Sequence, residues 1–357
     1  MLDGRLNNEL EKRKSDDAYR SLKTSSSMID FCSNDYLGFS SKSLHSSLPV
    51  GATGSRLISG TKSIHTVVED QIAAFHNDEA ALIFNSGYDA NLAFLSTVPK
   101  KGDTVIYDQL CHASIRDGLR LGVARNFSFT HNDLRDLKGK ISKASGSVFV
   151  VVESVYSMDG DAAHLVEIEK ICSDSGAYLV VDEAHATGVF GEKGEGLCGE
   201  LGIEAYARVH TFGKALGVHG AVICGSQVLK EYLVNYARPF IYTTALPPHS
   251  IDVISQVYTS LENSDERKKL KENIEIFKSN FKNPGLIESD SPIQCVIIGG
   301  NEKCKTVAEH LQSEGFDVRP ILSPTVEKGK ERIRICLHSF NSREEITNLC
   351  AQLNKIL

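Results

Sequence analysis

The stretch "AYLVVDEAHATGVFG", Ala177–Gly191, decides the fold class. Its run Tyr178–Val181 is continuous and rich in β-branched residues, which is typical of a strand buried on both faces of a parallel sheet. Asp182 ends this run, and His185 follows three residues later. Ligands of open parallel sheets bind beyond the carboxyl ends of the strands, so these two titratable groups indicate a site. The alternative is that Asp182 caps the next helix and that His185 bonds to the backbone.

Outward from this stretch, the same alternation of strand, loop and helix recurs. It is predicted in "EAALIFNSGYDANLAFLSTV" and "GDTVIYDQLCHASIRDGLRLG". "GSVFVVVESVYSMDGD" holds another continuous β-branched run of the kind typical of parallel sheets, and "ARVHTFGKALG" and "GAVICGS" continue this pattern. Towards the N-terminus, "HTVVEDQIAAFHN" predicts a helix with Val68, Ile72 and Phe75 near one face, and "IDFCSNDYLGFS" predicts a short strand and a turn. A charged amphipathic helix is predicted over 5–24, followed by the Ser-rich break "TSSSM".

The pattern of predicted helices and strands changes after about residue 250. A long charged helix is predicted over 260–283, and "PIQCVIIGG" and "ERIRICLHSF" predict short strands, with one helix between them and one after. We therefore expect an α/β protein in three parts. They are an N-terminal arm and helix over 1–40, a large domain with a mostly parallel sheet over 41–250, and a smaller α+β domain over 251–357.

Composition narrows the classes of function. A net charge of −7 disfavours non-specific nucleic-acid binding, which needs a basic surface. The nine cysteines form no C-x-x-C pair, so we expect buried thiols in a reducing cytosol rather than disulfides or a metal site. The polar N-terminus does not resemble a signal peptide, and no apolar run has the length of a membrane span. We expect a cytoplasmic protein with no nucleic-acid or membrane partner.

A lysine stands among small residues in "HTFGKALGVHGA", His210–Ala221. Lys214 is a candidate nucleophile, because desolvation lowers the pKa of a lysine and the small neighbours allow a flat ring to approach. A pyridoxal phosphate (PLP) site needs a Schiff-base lysine, a carboxylate for the pyridine nitrogen and a phosphate cradle. The sequence offers Lys214 as the lysine, Asp182 as the carboxylate and the turn at Ser86–Gly87 as the cradle. The turn is suited to this role because backbone N–H groups at a helix start bind anions.

Two other loops carry polar candidates, and one motif suggests another class. His112 and Ser157 follow further strands, although His112 could be an ordinary loop histidine. The letters "DEAH" also occur in P-loop NTPases, which require G-x-x-x-x-G-K-[ST]. The nearest stretch, "GSRLISGTKS" at Gly54–Ser63, has the wrong spacing.

The chain resembles the α-oxoamine synthases, a family of PLP enzymes with the fold type I (aspartate-aminotransferase-like) architecture. The motifs that carry the resemblance occur in the family's order over nearly the whole chain: "SNDYLG", "SGYDAN", "CHASI", "SMDGD", "DEAHATGVFG", "TFGKALG" and "YTTALPP". It implies a decarboxylating condensation of an amino acid with an acyl thioester. "TFGK" followed by "HGA", together with "GSRLISG", favours the branch that joins L-alanine to pimeloyl-CoA, or to a pimeloyl carrier protein, in biotin biosynthesis. The glycine- and serine-using branches stay open.

The resemblance also implies roles for single residues. Lys214 forms the Schiff base, Asp182 pairs with the ring nitrogen, His185 bonds the ring hydroxyl and His112 stacks on the ring. Ser157, Thr211 and the backbone of Gly87–Tyr88 hold the ring oxygen and the phosphate, and Thr244 reaches the cofactor of the second subunit of a homodimer. The substrates contact His112, Asn34, Arg334 as the carboxylate clamp, and Arg20 and Thr325 at the acyl chain; without the family, Arg334 reads as a strand-edge surface arginine.

Two points stay open. A non-catalytic subunit of the same fold would lack the cofactor's visible absorbance, although the presence of Lys214, Asp182 and both histidines disfavours it. The segment 39–53 is shorter than in most relatives, which leaves the lining of the substrate entrance, and with it the acyl-chain preference, open.

Overall fold

The computed structural model describes residues 2–22, 24, 27–262 and 264–357. The helices are α1 (Leu2–Ser15), α2 (Ser63–His76), α3 (Gly87–Thr97), α4 (Ala113–Leu121), α5 (Leu134–Ile141), α6 (Leu165–Ser175), α7 (Leu197–Leu201), α8 (Gln227–Tyr236), α9 (Arg238–Ile241), α10 (Pro248–Glu262), α11 (Glu266–Asn280), α12 (Asn301–Ser313) and α13 (Arg343–Ile356). The strands are β1 (Ile29–Asp30), β2 (Ala80–Phe84), β3 (Thr104–Asp108), β4 (Arg125–Phe129), β5 (Val148–Glu153), β6 (Tyr178–Asp182), β7 (Ala207–Thr211), β8 (Ala221–Gly225), β9 (Ile293–Ile297), β10 (Phe316–Asp317), β11 (Arg319–Ile321) and β12 (Arg332–Cys336).

The chain divides into two compact units. One contains residues 35–157 and 162–267, which we call the sheet unit, and the other contains 1–34, 158–161 and 268–357, which we call the terminal unit. The three-part division predicted from the sequence, at 1–40, 41–250 and 251–357, stays a prediction.

The sheet unit is built on a seven-stranded sheet of order β2-β8-β7-β6-β5-β3-β4. Strands β3, β4, β5, β6 and β7 all run parallel to one another, which agrees with the predicted mostly parallel sheet. β8 runs antiparallel to both β2 and β7, so the expectation that "GAVICGS" continues a parallel pattern is wrong. The physical reason is the short connection 212–220, which cannot hold the crossover that a parallel neighbour needs.

The core of the sheet unit follows the predicted periodicities. Every residue of β2, β7 and β8 is buried, as the continuous apolar runs indicate. The predicted face of α2 is confirmed, since Val68, Ile72 and Phe75 are all buried.

The terminal unit carries an antiparallel sheet of order β11-β12-β9 and a parallel pair of β1 with β10. Strands β9 and β12, with α12 between them and α13 after, confirm the predicted pattern. A capping box begins α13: Glu345 N donates to Ser342 Oγ and Ser342 N donates to Glu345 Oε2.

Two predicted helices have different bounds. The helix predicted over 5–24 ends at Ser15, because Asp17 adopts a positive φ and Ala18 N bonds back to Arg13 O. Lys23 and part of the Ser-rich break lie outside the described residues.

The helix predicted over 260–283 is divided into α10 and α11. The side chain of Ser264 accepts from Glu266 N and so caps a new helix start, while Asn263 lies outside the described residues.

All nine cysteines are free and eight of them are buried, which fits the expectation of buried thiols without disulfides. Among the described helices, none is both long enough and apolar enough to cross a membrane.

The ring of His76, the last residue of α2, stacks on the ring of His210 in β7, and both residues are buried. The rings of His76 and His210 lie 3.7 Å apart between centroids, and each ring has a neutral partner: His76 Nε2 lies 3.1 Å from Tyr258 Oη, and His210 Nδ1 lies 2.8 Å from Thr187 Oγ1. Burial lowers the pKa of His76 to about 3 and the pKa of His210 well below its usual value. Both rings are therefore neutral in the folded protein.

This pair predicts loss of stability in acid. Below about pH 6.5 the unfolded chain protonates these histidines and the folded chain does not, so stability falls by about 1.4 kcal/mol per pH unit for each. His76→Gln should make the decline of the thermal unfolding midpoint between pH 7 and pH 5 shallower. His164→Gln, at an exposed histidine, should leave the slope of the wild type, and equal slopes in all three proteins would contradict the prediction.

Candidate active site

The candidate residues of the sheet unit gather at one edge of its sheet. The carboxyl ends of β2, β3, β5, β6 and β7 meet there because these strands run in the same direction. Gly87 follows β2, His112 follows β3, Asp182 ends β6 and Thr211 ends β7. These residues therefore lie at the carboxyl ends of their strands, where the sequence predicted a site.

Lys214 lies in the connection between the antiparallel neighbours β7 and β8. Phe212 N donates to Gly220 O and Val218 N donates to Phe212 O, so the connection is a closed turn rather than a free loop. Gly217 has φ 65°, and a Cβ there would collide with the backbone of Ser40. Gly217 is thus required by the backbone, and Lys214 itself is half-buried.

Asp182 is 5% exposed and is fixed through both carboxylate oxygens. Asn91 Nδ2 donates to Oδ2 at 2.7 Å, and Ala184 N donates to Oδ1 at 3.0 Å. The alternative, in which Asp182 caps the next helix, is wrong, because α7 begins only at Leu197. Oδ1 accepts from a turn N–H instead, and Oδ2 bonds a side chain of α3.

A chain of hydrogen bonds links Asp182 to His112. Asn91 Nδ2 also donates to Ser114 Oγ at 3.0 Å, and Ser114 Oγ lies 2.8 Å from His112 Nδ1. His112 is the N-cap of α4, so its ring is oriented at a helix start. The two residues that the sequence places on separate strands therefore share one polar network.

His185 bonds a side chain: Tyr36 Oη lies 2.8 Å from its Nδ1. Tyr36 is fully buried and His185 is 4% exposed. The tyrosine therefore orients the imidazole.

The start of α3 and the end of β7 form an anion cradle. The N–H groups of Gly87 and Tyr88 are the first of α3 and have no acceptor within the helix. The hydroxyl Oγ1 of Thr211 is buried and has no hydrogen-bond partner among the described residues, and a Cβ on Gly87 would lie 2.6 Å from Thr211 Cγ2. A buried unpaired hydroxyl is costly unless a ligand satisfies it, so these groups fit the phosphate of PLP.

The ionisable groups of this site influence one another. Loss of solvent around its ring lowers the pKa of His112, although the residue as a whole is exposed. The charge of Asp182 raises this pKa, and the charge of Lys214 lowers it. Burial, reinforced by Asp182, raises the pKa of Glu153 to about 8. Lys214, His112, Asp182 and Glu153 therefore form one electrostatic cluster.

Three other predicted residues lie in the sheet unit. Ser157 is half-buried in the loop after β5, and Tyr88 donates its hydroxyl to Asp117 and packs edge-to-face with His112, 6.4 Å between centroids. Thr244 has an exposed side chain, and its carbonyl accepts from Asn85 Nδ2 at 3.0 Å within the same chain.

The terminal unit brings the predicted substrate residues together in two pairs. Arg334 Nη2 donates to Asn34 Oδ1 at 2.9 Å, and Arg20 Nη2 donates to Thr325 Oγ1 at 3.1 Å. The reading of Arg334 as a strand-edge residue is wrong, because β12 is the central strand of its sheet.

Sequence reasoning missed four residues of these networks: Tyr36, Asn91, Ser114 and Glu153. The first three stand inside the quoted motifs "SNDYLG", "SGYDAN" and "CHASI", and Glu153 ends a strand as Asp182 does. That position at a strand end was the signal that could have found Glu153.

The P-loop alternative fails on local structure. The stretch Gly54–Ser63 contains a π-helical turn at Arg56–Gly60 and follows no strand of the sheet, whereas a phosphate loop joins a strand to a helix.

Comparison with known proteins decides the family. The sequence model of the class I and II aminotransferases matches residues 26–353. The chain belongs to that family. This aminotransferase-family chain is 38% identical to the 8-amino-7-oxononanoate synthase of Emericella nidulans, over 91% of this chain and 88% of the relative.

Solved structures agree on the fold. A serine palmitoyltransferase from S. paucimobilis, solved with PLP bound as a myriocin adduct, superposes with a TM-score of 0.89 at 27% identity, covering 98% of this chain and 96% of that one. The 8-amino-7-oxononanoate synthase of Francisella tularensis superposes at 0.79 with 31% identity, covering 92% and 97%. The chain is a fold type I, PLP-dependent enzyme of the α-oxoamine synthase family, as its motifs predicted.

The unpaired hydroxyl of Thr211 gives a test of the cradle. Thr211→Val removes the hydroxyl and keeps the shape, so the cofactor-free protein should be as stable as the wild type. Losing one hydrogen bond to a phosphate costs about 1.5–3 kcal/mol, so PLP should bind roughly 10- to 100-fold more weakly.

Thr104→Val is the matched control, because its buried hydroxyl is already bonded to Ser145 O at 2.8 Å. It should lose stability and keep PLP affinity. The cradle assignment would be wrong if Thr211→Val bound PLP like the wild type in a spectrophotometric titration.

Proposed function

We propose that this enzyme condenses L-alanine with a pimeloyl thioester and releases CO₂ and the carrier thiol to give 8-amino-7-oxononanoate. The observation that carries the proposal is the match, over most of both chains, to relatives named 8-amino-7-oxononanoate synthase. The acyl carrier would be coenzyme A or a carrier protein. The reaction belongs to biotin biosynthesis, and the enzyme would work in the cytoplasm.

A second candidate is a serine- or glycine-using member of the family, of the serine palmitoyltransferase, glycine C-acetyltransferase or 5-aminolevulinate synthase type. The higher TM-score of the S. paucimobilis serine palmitoyltransferase favours it. Sequence identity favours the first candidate, and identity is more sensitive to pocket residues than a backbone superposition.

PLP, when bound, supplies an electron-withdrawing ring that stabilises negative charge at the Cα of the amino acid. Lys214 would bond the cofactor, Asp182 would bind its ring nitrogen, and the Gly87–Tyr88 N–H groups with Thr211 would bind its phosphate. Ser157 and His185 would bind the ring hydroxyl and His112 the ring face.

The protein groups then control two protons. Asp182, already oriented by Asn91 and Ala184, would hold the proton on the ring nitrogen through a charge-assisted bond worth about 1.5–3 kcal/mol. Nζ of Lys214, released from the cofactor by the amino group of the substrate, would remove the proton from Cα as a general base. Carbon–carbon bond formation would then expel the thiolate, the carboxylate of the amino acid would leave as CO₂, and the proton held by Lys214 would return to Cα.

The arginines would bind the anionic ends of the substrates. Arg334, with its guanidinium oriented by Asn34, would bind the carboxylate of alanine. Arg20 would bind the far carboxylate of the pimeloyl chain beside Thr325, whose hydroxyl is neutral and does not cancel the charge of the arginine. An acetyl or palmitoyl thioester has no such anion.

We also propose that the active form is a homodimer in which Thr244 reaches the cofactor of the second subunit. The exposed side chain of Thr244 makes this possible, while its backbone bond to Asn85 would also allow a role in its own chain. A mixing experiment separates the two arrangements.

Lys214→Ala should abolish turnover, and Thr244→Val should weaken it. A mixed dimer of the two contains one site with Lys214 from one chain and Thr244 from the other, so refolding or co-expressing them should restore part of the wild-type rate. Activity no greater than the sum of the two parents would place Thr244 in its own chain's site, and a fully active monomer in sedimentation would contradict the dimer.

The substrate pair is tested by offering alanine, glycine and serine with pimeloyl, acetyl and palmitoyl thioesters and identifying products by mass spectrometry. Alanine with pimeloyl thioester should have the highest kcat/KM, and the preference over glycine should be modest, since one methyl is worth about 1–3 kcal/mol. Arg20→Ala should lower kcat/KM for the pimeloyl thioester about tenfold or more, the loss expected for a bond between charged groups.

A neutral acyl thioester of similar length should be affected little by Arg20→Ala. Arg13→Ala, at an exposed arginine of α1, is the control for loss of a positive charge and should affect neither substrate. Equal losses on both thioesters, or faster wild-type turnover with glycine and acetyl thioester, would assign the chain to another branch.

A further inference from the structure

Glu153 is a buried carboxyl at the site edge that the mechanism above does not use. It ends β5, is 2% exposed, and is the register partner of Asp182 on β6. Paired residues of adjacent parallel strands place their side chains on the same face of the sheet. The two carboxyl groups therefore lie side by side at the edge where the site is formed.

Glu153 is bonded to the backbone that presents His112. Its Oε1 accepts the N–H of His112 at 2.5 Å. His112 is also the N-cap of α4, where its ring bonds Ser114. Glu153 thus fixes the backbone of His112, the residue at which the loop after β3 passes into α4. The same residue carries the oriented imidazole ring.

The groups that face Glu153 determine its charge. Asp182 on β6 and Asp108 on β3 oppose a negative charge there, while Lys214 and the His112 N–H favour one. Burial is the largest influence, and the pKa of Glu153 rises to about 8. Near neutral pH its carboxyl is mostly protonated.

Asp182 is placed differently, because both of its oxygens accept hydrogen bonds from N–H donors. A carboxyl that accepts at both oxygens is suited to carry the charge. Two neighbouring carboxyls rarely ionise together, so the pair divides into one neutral and one charged group.

We propose that Glu153 is a positioning residue of the active site, which as a neutral carboxyl holds the backbone of His112 and leaves the negative charge of the pair on Asp182. The proposal uses the cofactor site and does not depend on which amino acid or acyl group the enzyme takes.

The first test follows the proton on the full-length protein without PLP. A carboxyl with a raised pKa in the folded state loses stabilisation as pH rises from its unfolded value towards its folded value. Glu153→Gln cannot ionise and keeps an oxygen for the His112 N–H. Its thermal unfolding midpoint should therefore rise relative to the wild type, by several degrees, between pH 5 and pH 8.5.

Glu167→Gln is the control for the same chemical change at an exposed glutamate of α6, and its midpoint should stay parallel to the wild type. A Gln variant of Glu153 that also stayed parallel to the wild type would show that Glu153 does not hold the proton, and the proposal would fail.

The second test follows the position of His112 on the PLP-loaded enzyme. Glu153→Leu removes the acceptor of the His112 N–H, so PLP should bind about tenfold more weakly, as expected for one displaced hydrogen-bonding group, and its visible absorbance should shift. Glu153→Gln should restore both the affinity and the spectrum at pH 7.

A role in packing alone would lower the stability of the Leu variant and leave the absorbance of bound PLP unchanged, and that result would overturn the proposal. If the Leu variant does not fold, the pH dependence of the Gln variant decides. Neither readout includes an acyl substrate, so a wrong substrate assignment would leave both expected results unchanged.

Discussion

The buried charge of Asp182 is the constraint on which the site depends. A carboxylate removed from water costs several kcal/mol unless hydrogen bonds or an opposite charge compensate it. Asn91 on α3 and the N–H of Ala184 provide that compensation in the described contacts. Because Asn91 lies one helical turn after Gly87, the same helix that supports Asp182 also begins at the anion cradle. One rigid element therefore sets the spacing between the two.

The reversal of β8 explains how a lysine comes to this edge. In a sheet of parallel strands only loops that leave carboxyl ends reach the site, and each normally continues into a helix. The antiparallel β7–β8 pair instead keeps its connecting turn at the edge, with Lys214 within it. The turn is closed by backbone bonds and by the contact of Gly217 with Ser40, so the lysine is carried by an ordered backbone.

Polar groups around the site are oriented by neighbours rather than by solvent. Tyr36 orients His185, Ser114 orients His112, and Glu153 holds the backbone of His112. Such supporting contacts matter because a catalytic group must be held close to its productive geometry before the substrate arrives. Within the terminal unit, Arg334 donates to Asn34 and Arg20 donates to Thr325.

The sequence by itself determined the fold class, the strand ends and the residues of the family motifs, because buried parallel strands have continuous apolar runs and PLP chemistry requires a lysine and a carboxylate. It did not determine the end of α1 at Ser15, the break between α10 and α11 or the reversed direction of β8, since these depend on single caps and on the length of a connection. Only the tertiary structure decided which groups share a hydrogen bond. The partnership of Asp182 with Asn91, and the place of Glu153 beside both Asp182 and His112, join residues far apart in the chain, and local patterns carry no information about such contacts.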